Sequence, residues 1–156
     1  MKNKRPKEWL TKKEFNQMIN YPYITRREEL IISMLYYCAL RVSELINLRV
    51  RDINIDNATI TVREGKRSKG PALVPLPEHL LKMLTQWIFD NNLTKTRFLL
   101  FSKHNKNLSR VQIHRIVKEV GKKAGIEKEI TTHTFRRTRA IHLLDDGLPI
   151  EQYRTG

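Results

Sequence analysis

A single cysteine, Cys38, stands in a chain of 156 residues, which excludes an internal disulfide framework and points to a reducing cytoplasm as its setting. Long apolar runs are missing too. The longest, Leu30 to Leu40, covers eleven residues and is broken by Ser33, so it is too short to cross a bilayer. The opening Met1-Lys2-Asn3-Lys4-Arg5-Pro6 is charged with no apolar stretch behind it and does not read as a secretory signal. No repeat, low-complexity linker or composition shift marks a second domain. What is present is an ordinary globular composition: 40% hydrophobic residues, enough for one core at a length typical of one domain, which argues against disorder.

Acidic residues are the other shortage. Against 30 Lys and Arg there are only 16 Asp and Glu, a formal net charge of +14. An excess of this size on a small domain sets up a positive field whose commonest counterpart is the phosphate backbone of nucleic acid. Membrane-surface binding would call for an amphipathic helix with a basic face or a polybasic cluster beside an anchor, and neither is evident. Nucleic acid is therefore the leading partner from charge, with a merely solvated basic surface as the alternative.

Three capping boxes, each a Ser or Thr followed three residues later by Glu or Gln, mark helix starts at Thr11 with Glu14, Thr25 with Glu28, and Ser109 with Gln112. They predict helices over about 12–19, 26–38 and 110–124, the last stopped by Gly125. In the second, Leu30, Ile31, Met34, Leu35 and Cys38 recur at helical spacing, so Cys38 reads as a small buried hydrophobe. Further helices are expected over 42–48, over 77–91 with the stripe Leu80, Leu81, Leu84, Trp87 and Ile88, and over 132–146 before Gly147. Pro149 sits where another would begin. Between them Ile53, Ile55, Ile60 and Val62 alternate with polar residues around a turn at Asp56-Asn57, and a basic loop, Glu64 to Gly70, leads into the strand-like 72–76. The fold class is mostly α with a small three-stranded antiparallel β-sheet whose tip is basic.

Arg41 lies at the corner between two predicted helices, where its guanidinium can point into a concave surface. Lys66 lies at the hairpin tip, and His133 and Arg136 are three apart on one helix face. Two guanidiniums, a histidine and a lysine suit phosphate chemistry: the planar forks pair with nonbridging oxygens, and lysine and histidine can move protons. In order and spacing these residues resemble the tyrosine recombinase family, also called phage integrases. Leu40-Arg41-Val42-Ser43-Glu44-Leu45 is similar to its first arginine box. Gly65-Lys66-Arg67-Ser68-Lys69 followed by Val74-Pro75-Leu76 is similar to its β-hairpin lysine segment, and His133-Thr134-Phe135-Arg136 to its histidine and second arginine box.

The resemblance implies DNA strand exchange through a phosphotyrosine link, without metal or nucleotide cofactor, on double-stranded DNA and in company with other recombinase protomers. Carried over residue by residue, Arg41, Arg136 and His133 hold and polarise the scissile phosphate, Lys66 protonates the leaving 5′ oxygen, and Glu44 orients the cluster. For Glu44 a carboxylate on the helix surface or just behind the site, paired with a nearby base, is an equal alternative. Lys69 is the alternative hairpin lysine or a simple phosphate contact, and Arg67 and Arg137 are further DNA contacts. The chain departs from the family pattern in three places. The family's nucleophilic tyrosine follows the second arginine at a greater distance, whereas Tyr153, the one tyrosine after Arg136, comes only seventeen residues later and reads as packing or surface. His142 follows Arg136 too closely to be the family's later histidine and reads as structural. Ala39 stands where a glycine commonly precedes Leu-Arg. The expectation is a catalytic domain over 1–156, incomplete at its C-terminus, without an N-terminal core-binding domain and inactive alone. The alternative is a non-catalytic DNA-binding module or remnant that occupies recombination sites.

Overall fold

The three capping boxes all form. In the structure, a computed structural model that describes residues 9–63 and 70–147, the hydroxyls of Thr11, Thr25 and Ser109 accept the backbone N–H groups of Glu14, Glu28 and Gln112 at 3.0–3.1 Å. The side chains of Glu14, Glu28 and Gln112 return the bond to the cap residues at 2.8–2.9 Å. Each box satisfies two N–H groups that a helix start otherwise leaves without partners. The helices they open are α1 (Lys12–Ile19), α2 (Arg26–Tyr37) and α5 (Arg110–Lys123). Three more complete the helical set: α3 (Val42–Ile46), α4 (Glu78–Asp90) and α6 (Thr132–Asp145). Gly125 and Gly147 follow α5 and α6 with φ of 83° and 85°, the left-handed conformation in which glycine ends a helix without steric cost.

The sheet is the antiparallel meander expected, with β2 (Thr59–Val62) between β1 (Ile53–Asn54) and β3 (Ala72–Pro75). Ile60 lies opposite both Ile53 and Val74, so one face of all three strands turns inward. Two expectations are corrected. Ile55 is not a strand residue facing the core; β1 ends one residue earlier and Ile55 is exposed in the turn. The helix expected over 42–48 stops at Ile46, and the segment Val50–Asp52 forms a single 3₁₀ turn, capped where Asp52 Oδ2 accepts the Arg49 N–H at 2.9 Å. The loop Glu64 to Lys69, Pro149 and Tyr153 lie outside the described residues.

Helix α2 is the centre of the core. Leu30 through Tyr36 are all buried, and α1, α3, α4, α5 and α6 each pack against it. The α4 stripe closes one side through Leu80 and Leu84, with Leu81, Trp87 and Ile88 half-buried at its border. Among the described residues no helix is long and apolar enough to cross a membrane.

Leu84→Ala is expected to lower stability by about 2–5 kcal/mol, because the side chain is fully enclosed and its loss leaves a cavity. Leu73→Ala, on the exposed face of β3, is expected to stay within about 0.5 kcal/mol of the parent. Chemical denaturation of both variants checks the assignment, and a neutral Leu84→Ala would move α4 out of the core.

Candidate functional site

The corner that presents Arg41 is built by the end of α2. Cys38 caps the helix, Ala39 adopts φ of 51°, and Arg41 is already the extended N-cap of α3. A non-glycine residue in the left-handed region carries a steric cost of about 1–2 kcal/mol, so the surrounding packing must hold Ala39 there. That packing is visible: Leu40 and Val42 on either side of Arg41 are buried, which pins the backbone and leaves the guanidinium at the surface of the corner. Glu44 then fixes Arg41 twice. Its Oε1 accepts the Arg41 backbone N–H at 2.9 Å, and its Oε2 lies 4.0 Å from Arg41 Nη1. Its side chain is 4% exposed against 39% for Arg41. Burying a carboxylate is costly unless it is hydrogen-bonded and paired with a cation, and here one residue supplies both. Glu44 is therefore not on the helix surface; it lies buried beneath Arg41 and is paired with it.

The rotation of α6 decides where His133 and Arg136 point. Phe135, Thr138 and His142 recur at helical spacing and are buried, so that face is turned to the core. His133 is exposed and Arg136 half-buried, one turn apart on the flank of the buried face, while Arg137 points to solvent. At the helix start, Thr134 Oγ1 accepts the Thr131 N–H at 2.9 Å. Lys66, Arg67 and Lys69 fall between β2 and β3, whose last and first residues, Val62 and Ala72, pair across the sheet. They lie outside the described residues, so the structure brings together Arg41 with Glu44 and His133 with Arg136, and does not place the hairpin lysines.

Sequence reasoning missed a second histidine. His114 on α5 sits with Nε2 3.5 Å from the hydroxyl of buried Thr132, at the start of α6. Burial pushes its pKa below the ordinary histidine value, and the positive charges of His133, Lys118 and Arg110 push it the same way. Only its place one turn into a capped helix was readable beforehand; nothing in the spacing linked residue 114 to residue 133. The candidate residues thus fall into two groups, Arg41 over the buried carboxylate of Glu44 at the α2–α3 corner, and His133 and Arg136 at the start of α6 with His114 facing Thr132.

A phage integrase family model matches residues 8–153. The chain belongs to the phage integrase family. Within it, the chain is similar to the tyrosine recombinase XerA of Pyrococcus furiosus, at 37% identity over 145 residues, covering 90% of this chain and 49% of that protein. It is similar to a tyrosine recombinase of Pseudothermotoga lettingae at 35% over 147 residues, covering 94% and 50%. The chain therefore spans about half the length of these relatives. Among solved structures, that of XerA recombinase matches with a TM-score of 0.83 and 31% identity, over 97% of this chain and 57% of that one. The integrase from mycobacterium phage Brujita shares the fold, with a TM-score of 0.76 at 17% identity over 96% and 47%. The mostly helical architecture with its three-stranded sheet is thus the integrase fold that the motif order implied.

The His114 environment yields a titration prediction. Because the folded pKa is depressed, the unfolded chain takes up a proton first as pH falls through the ordinary histidine range, so this group's contribution to stability is complete above that range and is lost below it. NMR titration is expected to place the His114 midpoint below that of a free histidine, and His133→Ala should move it upward. An unchanged midpoint in that variant would separate the two rings.

Proposed function

We propose that this integrase-family chain carries the phosphate-activating part of site-specific DNA recombination, in which strands are cut and rejoined through a phosphotyrosine link. The carrying observation is Arg41, lifted out of the helix corner and held by the buried Glu44. A guanidinium fixed at both backbone and charge is preorganised for a phosphate oxygen, and preorganisation is what makes such a contact stabilise the transition state. Arg136 and His133 supply further donors from α6. As a tyrosine oxygen attacks phosphorus, the bond to the 5′ oxygen breaks and that oxygen needs a proton. Lys66 is assigned to deliver it, with Lys69 as the alternative hairpin lysine, and Arg67 and Arg137 are assigned to neighbouring backbone phosphates.

Related proteins support double-stranded DNA as partner. A XerH recombinase has been solved bound to its difH substrate before cleavage, and the Tn1549 transposon integrase in complex with transposon right end DNA. None of the chain's five tyrosines is assigned as nucleophile. The Tyr36 hydroxyl is engaged by His142 in the core, Tyr21, Tyr23 and Tyr37 belong to the segment before Arg41, and Tyr153 follows Arg136 by only seventeen residues. The net charge of +14 also fits a second reading, a DNA-binding module that occupies recombination sites, alone or with other recombinase protomers.

Fluorescence anisotropy on a short DNA duplex across a salt series tests the proposal. Binding should weaken steeply with salt, and Arg41→Ala and Arg136→Ala should each lower affinity and reduce the log–log slope by about 1. Absence of binding at low salt would reject the DNA assignment. On a nicked suicide substrate the chain alone is expected to form no covalent adduct; a stable adduct would show that one of its own tyrosines is the nucleophile.

A further inference from the structure

The buried face of α6 carries a polar group that the phosphate chemistry above does not use. His142 is 3% exposed, yet both ring nitrogens are engaged. Nε2 lies 2.8 Å from the carbonyl oxygen of Leu10, and Nδ1 lies 2.6 Å from the hydroxyl of Tyr36. A carbonyl can only accept, so Nε2 carries the hydrogen; in the neutral ring Nδ1 is then the acceptor and the Tyr36 hydroxyl donates to it. Thr138, one turn earlier on α6, accepts the backbone N–H of Leu10 at 3.0 Å. Both backbone polar groups of Leu10 thus end on α6, and the histidine continues the connection into α2.

Tyr36 is itself held in place. Its ring stacks on Phe15 with centroids 3.9 Å apart, and the Arg139 guanidinium lies 5.1 Å from its centre and 5.2 Å from that of Tyr37. Along the chain, Tyr36 comes five residues before Arg41 and His142 six residues after Arg136. The Tyr36–His142 bond therefore joins the helix that leads into Arg41 to the helix that carries His133 and Arg136. Apolar packing between α2 and α6 is non-directional and tolerates small rotations, whereas a hydrogen bond weakens steeply as its angle departs from linear. A buried bond whose partners have no water to fall back on is the more exacting constraint.

We propose that His142 is a positioning residue of the phosphate site: bonded at once to Tyr36 and Leu10, it sets the rotation of α6 about α2 and so the placement of Arg136 and His133 relative to Arg41. This rests on the assignment of Arg41 and Arg136 as phosphate ligands.

The test uses the full chain and inorganic phosphate as probe, followed by NMR at the side-chain N–H groups of Arg41 and Arg136. In the parent protein both arginines should report one common dissociation constant. Tyr36→Phe removes the hydroxyl, with its bonds to His142 and Arg139, and keeps the Phe15 stack, whereas His142→Leu removes both histidine bonds and leaves the Arg139 contact. Either change should weaken phosphate about three- to tenfold, the equivalent of one net hydrogen bond, and give the two arginines different apparent constants. The His142 Nδ1 resonance should shift in Tyr36→Phe, and the thermal midpoint should fall by a few degrees with the chain still folded, since Nδ1 is left buried without its donor. Unchanged phosphate affinity and a shared constant in Tyr36→Phe would overturn the positioning role while leaving the arginine assignments intact. Silence of both arginines in the parent would instead overturn the site assignment and the positioning role with it. Tyr36→Phe decides the matter where His142→Leu does not fold.

Discussion

Helix α2 has no exposed face along Leu30 to Tyr36, and every other helix of the described residues meets it. A helix buried all round cannot be positioned by amphipathic preference, since each of its sides is equally content in an apolar setting. Its orientation has to come from its ends. The Thr25 capping box fixes the start, and the Tyr36–His142 bond and the left-handed Ala39 fix the finish. From that finish the chain turns directly into Arg41, so the constraint that seats the core helix also aims the first arginine. The integrase fold and the proposed phosphate site are in this sense one arrangement viewed from the inside and from the surface.

A net charge of +14 opposes compaction, because like charges brought together on a small domain repel. The few carboxylates are placed where they counter this most directly. Glu14 meets Lys128 at 2.7 Å, and burial, which pushes its pKa up, is outweighed by that ammonium and by the hydrogen bonds from Thr11, leaving it below the usual carboxylate range. Asp146 pairs with Lys12, and Asp90 with Arg26. Glu44 and Asp52 are buried at helix starts, each accepting the backbone N–H of an arginine. In the last two cases the acid holds an arginine backbone in place and also faces a guanidinium, Glu44 that of Arg41 and Asp52 that of Arg63 at 3.4 Å.

Local chemistry made much of this readable in advance. A threonine or serine three residues before Glu or Gln can close a ring of hydrogen bonds within four residues, which is why the starts of α1, α2 and α5 fell where expected. A glycine able to take positive φ ends a helix for equally local reasons, as at Gly125. The errors occur where long-range packing outweighs local preference. Ile55 alternates correctly for a strand but meets no partner, because β1 pairs only through Ile53 and Asn54 before the turn begins. Val50–Asp52 has no strong pattern and forms its 3₁₀ turn around Asp52, which the packing of Arg49 on Phe98, 4.0 Å from the ring centre, helps to place.

For the site, the order of residues by itself determined the chemical kinds present: an arginine at a helix corner with a glutamate three residues on, and a histidine and an arginine sharing a helix face. Those relations span three residues or fewer, within reach of backbone geometry alone. Tertiary structure alone decided that Glu44 is buried beneath Arg41, that His114 stands beside His133, and that His142 joins α6 to Tyr36 across 106 positions of sequence. Such contacts depend on how whole helices sit against one another, which follows from core packing together with long-range buried hydrogen bonds and is written in no single stretch of the chain.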